Sequence, residues 1–164
     1  MKKNSLYLSA IFLLSAIFLI FILPTLASAS DITSTGDWTG LIITSGNLSA
    51  GIGSPLTATY ESTATQITLD ITNTLGNPYD VLIKRTDTNW HTAVILSARR
   101  TDVGIGPGTV SGGLAYQAID TVDAVFFSGT NDNSTIHVQL QLTDVTVQIP
   151  PDIYSTTITF TVTP

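Results

Sequence analysis

The sequence predicts an all-β fold, an antiparallel β-sandwich of about seven to nine strands, on three observations. After residue 30, apolar and polar residues alternate with a period of two in several segments, which is typical of strands with one buried face. Short clusters of Gly, Pro and Asn separate these segments and predict turns. No stretch after residue 30 carries an apolar stripe at helical spacing.

The first thirty residues have the layout of a secretory signal. Two lysines precede an apolar run over residues 6–23, and the small residues Ala27-Ser28-Ala29 follow where cleavage is expected. We therefore predict a signal helix within residues 1–29 and a single β-sandwich domain over residues 30–164. The alternative is an uncleaved anchor, because the apolar run reaches the length of a membrane span. In either case the domain is expected to be secreted or displayed at the cell surface.

Alternation of side chains locates most of the predicted strands. In residues 66–72, Ile67, Leu69 and Ile71 form one apolar face. The last strand alternates threonines with hydrophobic residues, and β-branched side chains suit a pleated surface. Strands are predicted, in chain order, at residues 38–44, 56–60, 66–72, 79–85, 92–100, 114–118, 121–127, 136–142 and 154–163.

Composition excludes several functional classes. Beyond Ala29, twelve acidic residues stand against four cations, a formal net charge of −8, which argues against nucleic-acid binding. The chain has no Cys, so thiolate metal sites, thiol nucleophiles and disulfides are ruled out. One glutamate (Glu61) and two histidines (His91 and His137) leave little material for acid–base chemistry. We expect no enzyme, no cofactor and no metal site.

The four cations of the predicted domain lie at the ends of two neighbouring predicted strands. In a simple hairpin, Lys84 would lie opposite Arg100 and Arg85 opposite Arg99, and like charges opposed in this way destabilise a sheet. Alternatively, residues 86–91 carry the chain from one sheet to the other, or nearby acids neutralise the cluster. Two roles stay open: a patch that receives an anionic partner, or a solvated and locally paired surface.

The C-terminal segment resembles the end of a known group of secreted proteins. Residues 147–163 contain the turn Pro150-Pro151, then Tyr154, then a terminal strand of alternating Thr and hydrophobic residues. This segment is similar to the closing segment of spore-coat-U-type and fimbrial (pilin-like) secreted proteins. The chain lacks the cysteine pair that is common in that family.

The resemblance implies an immunoglobulin-like sandwich whose subunits join by strand complementation, in which a sheet with an unfilled edge accepts a neighbour's extended segment. The candidate donor is residues 30–44, and its apolar contacts would be Trp38, Leu41, Ile42 and Ile43. The same residues could instead form an ordinary first strand within their own domain.

Two functions from different classes are therefore predicted. The first is a secreted, non-catalytic structural or adhesive cell-surface protein, a pilus or coat-type subunit that assembles with itself or related subunits. The second is an extracellular carbohydrate-binding module for cell-surface glycan. A membrane partner is expected only through an uncleaved signal segment. Aromatic side chains that could stack on sugar rings are Trp38, Trp90, Tyr60, Tyr79 and Tyr116.

A glycine-rich run and two Asn-X-Ser/Thr patterns also occur in the predicted domain. The run Gly104-Ile105-Gly106-Pro107-Gly108 lacks the lysine and the following helix of a phosphate-binding loop, so it predicts only a loop. Asn47-Leu48-Ser49 and Asn133-Ser134-Thr135 match the N-glycosylation acceptor pattern, which has meaning only in an organism that modifies it.

Overall fold

The computed structural model describes residues 30–164, and the leader predicted for residues 1–29 lies outside them. Within the described residues the chain is all-β, as predicted, with one short 3₁₀ helix at Ser45–Asn47. This part of the chain holds no helix long and apolar enough to cross a membrane. Its ten strands are β1 (Asp31–Thr35), β2 (Tyr60–Glu61), β3 (Ile67–Thr72), β4 (Pro78–Asn89), β5 (Ile95–Arg100), β6 (Thr109–Ser111), β7 (Gln117–Ala118), β8 (Ala124–Thr130), β9 (Asn133–Thr143) and β10 (Ser155–Thr163).

The strands form two antiparallel sheets. The six-stranded sheet has the order β1-β3-β9-β5-β7, and β2 pairs with the part of β9 that β3 leaves free. The four-stranded sheet has the order β10-β4-β8-β6. Because β3 and β4, β4 and β5, and β8 and β9 belong to different sheets, the chain crosses between the layers repeatedly. This sandwich-like arrangement needs long-range pairing throughout.

The predicted alternation is confirmed by the burial of the side chains. In β3, Leu69 and Ile71 are fully buried while Thr68 and Asp70 are only partly so. The long β9 follows the same rule over its central residues, where Ile136 faces the interior. One core lies between the sheets, and its most deeply buried aliphatic residues are Leu69, Ile71, Val81, Ile83, Ile136 and Val138.

Residues 38–44 do not form the predicted strand. Gly40 interrupts the segment with a left-handed backbone (φ 74°), and the 3₁₀ helix that Thr44 caps begins directly after it. Three consecutive apolar residues also cannot all face one side of a strand. The first strand is instead β1, which holds a single apolar residue, Ile32, and is stabilised by pairing with β3. Short β6 was likewise not predicted.

The glycine-rich loop packs closely against the corner between β8 and β9. A Cβ atom at Gly106 would overlap the carbonyl oxygen of Asp132, and one at Gly108 would overlap that of Thr130. Gly104 combines a left-handed backbone (φ 70°) with equally close packing on Ser134. Glycine is therefore required here for backbone contact, and no phosphate-binding geometry is involved.

Candidate functional site

The two pairs of cations lie in different sheets. Lys84 and Arg85 belong to β4 of the four-stranded sheet, and Arg99 and Arg100 belong to β5 of the six-stranded sheet. The hairpin interpretation is therefore wrong. The chain does cross between the sheets, but it does so at residues 90–94 and not at residues 86–91, because residues 86–89 continue β4. No like charges are opposed, because Lys84 lies opposite Thr159 and Arg100 lies opposite Val138.

The first pair is neutralised locally. The Lys84 ammonium contacts the Asp123 carboxylate at 3.0 Å. The Arg85 guanidinium forms an ion pair with Asp87 and donates through Nε to the carbonyl oxygen of Ile119 at 2.9 Å. It also lies over the ring of Trp90, 5.6 Å from the centroid.

Arg100 does not belong to any surface patch. Only 2% of it is exposed, and its guanidinium donates to the Gly112 carbonyl oxygen from Nε (3.2 Å) and from an Nη nitrogen (2.8 Å). The other Nη nitrogen donates to the Asp102 carbonyl oxygen. Desolvation is the main cause that lowers the pKa of Arg100. A single four-cation band for an anionic partner is therefore not present at the surface.

Arg99 takes part in a polar cluster on the outer face of the six-stranded sheet. Its Nε and one Nη nitrogen donate to Oε1 of Gln139 at 3.0 and 2.8 Å. Its guanidinium carbon lies 4.7 Å from the ring centroid of Tyr116. Gln141 donates to the Glu61 carboxylate at 2.9 Å beside it. This Tyr116 cluster contains a carboxylate, amides and an aromatic ring, the groups that bind sugars.

The Tyr116 hydroxyl is shielded from solvent and lies close to the Glu61 carboxylate and the Arg99 guanidinium. Desolvation raises the pKa of Tyr116, and the neighbouring Glu61 carboxylate raises it further. The solvent-accessible polar groups of this cluster therefore include the Gln141 amide and the Glu61 carboxylate, and not the tyrosine hydroxyl.

The five aromatic residues considered for sugar stacking do not form one platform. Tyr79 is 2% exposed and accepts a hydrogen bond from Asn133, and desolvation is the main cause that raises its pKa. Trp38 and Trp90 pack against the core and are partly buried. Within residues 30–164 none of the five rings stacks on another of the five. Tyr116 has the polar surroundings described above, which are compatible with sugar binding.

Both sheets end on the same side of the molecule in a strand with an open edge. β1 closes the six-stranded sheet, β10 closes the four-stranded sheet, and the two strands approach each other without pairing. The inward residues of this side stay partly exposed, in contrast to the fully buried Val81 and Val138 of the central strands. We call the seam along which these two unpaired strands face each other the β1–β10 groove; its partly exposed apolar residues are Ile32, Ile158, Phe160 and Val162.

The predicted donor residues are divided by the structure. Residues 31–35 pair with β3 of their own domain, as in the alternative of an ordinary first strand. Trp38 packs on the core, and Ile43 is partly buried. Leu41 and Ile42 project into solvent, with exposed fractions of 39% and 75%.

Three further polar contacts lie apart from one another in the described residues. Ser128 donates to the Asp80 carboxylate at 2.6 Å, in an open hollow of about 380 Å³ on the outer face of the four-stranded sheet. The histidines lie elsewhere: His91 contacts Tyr154, and His137 contacts Asp102. Residues 30–164 contain no group of three or more acidic or histidine side chains able to hold a metal ion.

Comparisons with family models, with curated proteins and with solved structures gave no match to this chain.

Proposed function

We propose that this chain is a secreted, non-catalytic structural or adhesive cell-surface protein whose subunits join by strand complementation at the β1–β10 groove. The observation that carries the proposal is the incomplete core of this side. Inward-facing Phe160 and Val162 stay partly exposed although their neighbours across the sheet, Ile83 and Val81, are buried. An added strand would cover these side chains and pair with free main-chain groups.

The character of β10 supports the same conclusion. It is nine residues long, with a register shift only at its first residues, and it carries no charge, Pro or Gly. Natural edge strands are usually blunted by charges, bulges or short length, as β6 and β7 are by their two or three residues. A long uncharged edge is therefore expected to have a partner. In this proposal the finer fold is an immunoglobulin-like sandwich whose last strand comes from another subunit.

Leu41 and Ile42 are the donor residues that remain available in the folded subunit. They are exposed apolar residues in a segment without regular structure, which is the state expected of a strand that orders on binding. Deleting residues 30–44 would also remove β1, so a point substitution is the better test.

The test is size-exclusion chromatography and negative-stain microscopy of the mature chain and two variants. Ile42→Asp should shift oligomers or filaments to monomer, because a carboxylate cannot enter an apolar groove. Ile52→Asp is the matched control, since Ile52 is fully exposed (103%) and lies outside the predicted donor. A monomeric parent chain, or equal assembly of both variants, would contradict the proposal.

The second candidate function is binding of a cell-surface glycan at the Tyr116 cluster. The exposed Glu61 and the adjacent Gln141 beside the Tyr116 ring favour it, because a sugar can bond such groups while it stacks on a ring. A screen of cell-wall oligosaccharides by NMR should show shifts confined to this face that Tyr116→Ala removes. Tyr154→Ala serves as the control, and absence of any binder disposes of this function.

A further inference from the structure

We propose that Asn47 carries an N-linked glycan and that Asn133 does not. Both asparagines match the acceptor pattern in the sequence, yet the fold places them in opposite surroundings. The inference depends on export of the chain but not on strand complementation. A modified monomer would therefore support it while contradicting the assembly proposed above.

Asn133 is closed to modification. Only 2% of it is exposed, and its amide nitrogen donates to the Tyr79 hydroxyl and to the carbonyl oxygens of Thr130 and Asn131, each at 3.3 Å. The glycine-rich loop covers the same nitrogen so closely that a Cβ at Gly108 would overlap it. A saccharide would replace one of the two hydrogens on this nitrogen, so the three contacts could not all be kept, and it would displace the loop.

Asn47 is open to modification. It ends the 3₁₀ helix and is partly exposed. Its Oδ1 atom accepts a hydrogen bond from the Thr44 amide at 2.8 Å, which fixes the orientation of the side-chain amide. The amide nitrogen itself makes no hydrogen bond with residues 30–164, so it can react without cost to the fold.

Main-chain hydrogen bonds hold the residues around the acceptor. Leu48 has an extended backbone (φ −67°, ψ 133°) and forms an isolated antiparallel β-bridge with Leu56. Ser49 is exposed, and its amide donates to the Pro55 carbonyl oxygen at 2.8 Å. The Asn47 carbonyl oxygen accepts from Thr57 at 2.8 Å. These two hydrogen bonds hold the acceptor segment at the surface of the domain, where a bulky group has room.

The co-reactant is a lipid-linked oligosaccharide pyrophosphate, used by a membrane transferase. The Asn47 amide nitrogen attacks the anomeric carbon, and the new C–N bond forms as the bond from that carbon to the pyrophosphate oxygen breaks. The nitrogen gives up one proton to a base of the transferase, and the lipid pyrophosphate leaves. No electrons are exchanged with an oxidant or reductant.

The test is peptide mass spectrometry of the chain recovered from the cells that secrete it. Beyond the leader, Lys and Arg occur only at positions 84, 85, 99 and 100, so trypsin separates the two sites into residues 30–84 and residues 101–164. The first peptide should be heavier than its sequence by at least one saccharide unit, and the second should be unmodified. An unmodified first peptide, or a saccharide on Asn133, would overturn the proposal.

Variants establish the attachment atom. Ser49→Ala and Asn47→Gln should each abolish the added mass, whereas Ser49→Thr should keep it, because a threonine hydroxyl also satisfies the pattern. Thr135→Ala is the matched control at the closed site and should leave the mass unchanged. If the mass survives in Asn47→Gln, the saccharide is on another atom and the assignment is wrong. Circular dichroism of each variant checks that the sheets are retained.

Discussion

The guanidinium of Arg100 lies within the core, over the ring of Phe127 at 5.7 Å, and its hydrogen-bond acceptors are main-chain carbonyls. Through Asp102 and Gly112 it connects the two ends of the segment that includes the glycine-rich loop. A planar fork with several donors can satisfy both carbonyls at once, which an ammonium cannot do equally well. Arg100 is thus a structural residue.

Arg100→Lys is expected to lower the free energy of unfolding by about 2 kcal/mol, because the Asp102 and Gly112 carbonyl groups lose donors of the buried guanidinium. Urea unfolding followed by circular dichroism measures this change. Lys84→Gln is the control: Lys84 pairs with Asp123 at the surface, and its loss should cost about 0.5 kcal/mol or less. Equal effects of the two substitutions would show that Arg100 has no special structural role.

Leu75 occupies an unfavourable backbone conformation. It is 81% exposed and has φ 51°, followed by Gly76 at φ 84°, in the turn closed by the hydrogen bond from Asn77 to Thr74. Positive φ at both central positions is the pattern of a type I′ turn, which prefers Asn-Gly. Leu75→Asn should therefore raise the free energy of unfolding by about 1 kcal/mol.

The control for this turn is Leu75→Ala, which removes the exposed apolar side chain but keeps an ordinary Cβ residue at positive φ. Thermal melting should place it close to the parent chain. If Ala stabilises as much as Asn does, the gain comes from lost apolar exposure and the backbone explanation is wrong.

At the scale of elements, the open β10 edge and the glycine-rich loop have opposite character. β10 has free main-chain groups and partly exposed inward residues, so it can accept a partner. The loop is instead joined to β9, where Ile105 and Ser134 exchange backbone hydrogen bonds at 2.6 and 2.8 Å. The loop covers the corner between the sheets on one side, whereas β1 and β10 do not pair with each other.

Gly108→Ala should destabilise the domain by about 2 kcal/mol, since the added methyl meets the Thr130 carbonyl oxygen and overpacked sites cost this much. Gly46→Ala is the matched control, because its Cβ would lie 3.4 Å from the Thr44 hydroxyl and its φ is not positive. Chemical denaturation of both variants tests the difference. A neutral Gly108→Ala would mean that the loop yields easily and does not seal the corner.

For the whole molecule, the carboxylates determine how stability depends on pH. Burial by itself would raise the pKa of Asp102, but hydrogen bonds from the His137 ring and from the amides of His137 and Gly104 outweigh it and lower the pKa below 3.8. Hydrogen bonds from the Thr74 hydroxyl and amide lower the pKa of Asp132 in the same way. Through these hydrogen bonds, each carboxylate holds a loop against a neighbouring segment of the fold.

The sign of the effect follows from linkage. A carboxyl group with a lowered pKa in the folded state stabilises the fold above its ordinary value of 3.8, and this contribution is lost as the pH falls through the folded pKa. The melting temperature should therefore be steady near neutral pH and fall below about pH 4. Asp102→Asn should flatten this acid limb, whereas an unchanged slope would exclude Asp102 as its source.

Several features were predictable because they depend on neighbouring residues alone. Eight of the nine predicted strands correspond to strands of the structure, since alternation such as Ile67-Leu69-Ile71 reflects a local geometric period. Residues 38–44 failed because the conformation of Gly40 and the cap at Thr44 override apolar composition. β1 was missed because its strand state depends on pairing with β3.

By itself, the sequence determined that residues 30–164 are all-β, acidic and free of Cys, and which faces of most strands are apolar. Only the tertiary structure decided that Arg100 is buried, that the cations divide between two sheets, that Tyr116 meets Arg99 and Glu61, and that β1 and β10 face each other as unpaired edges. Alternation specifies a side of a strand, but sheet order arises from pairings between residues far apart in the chain.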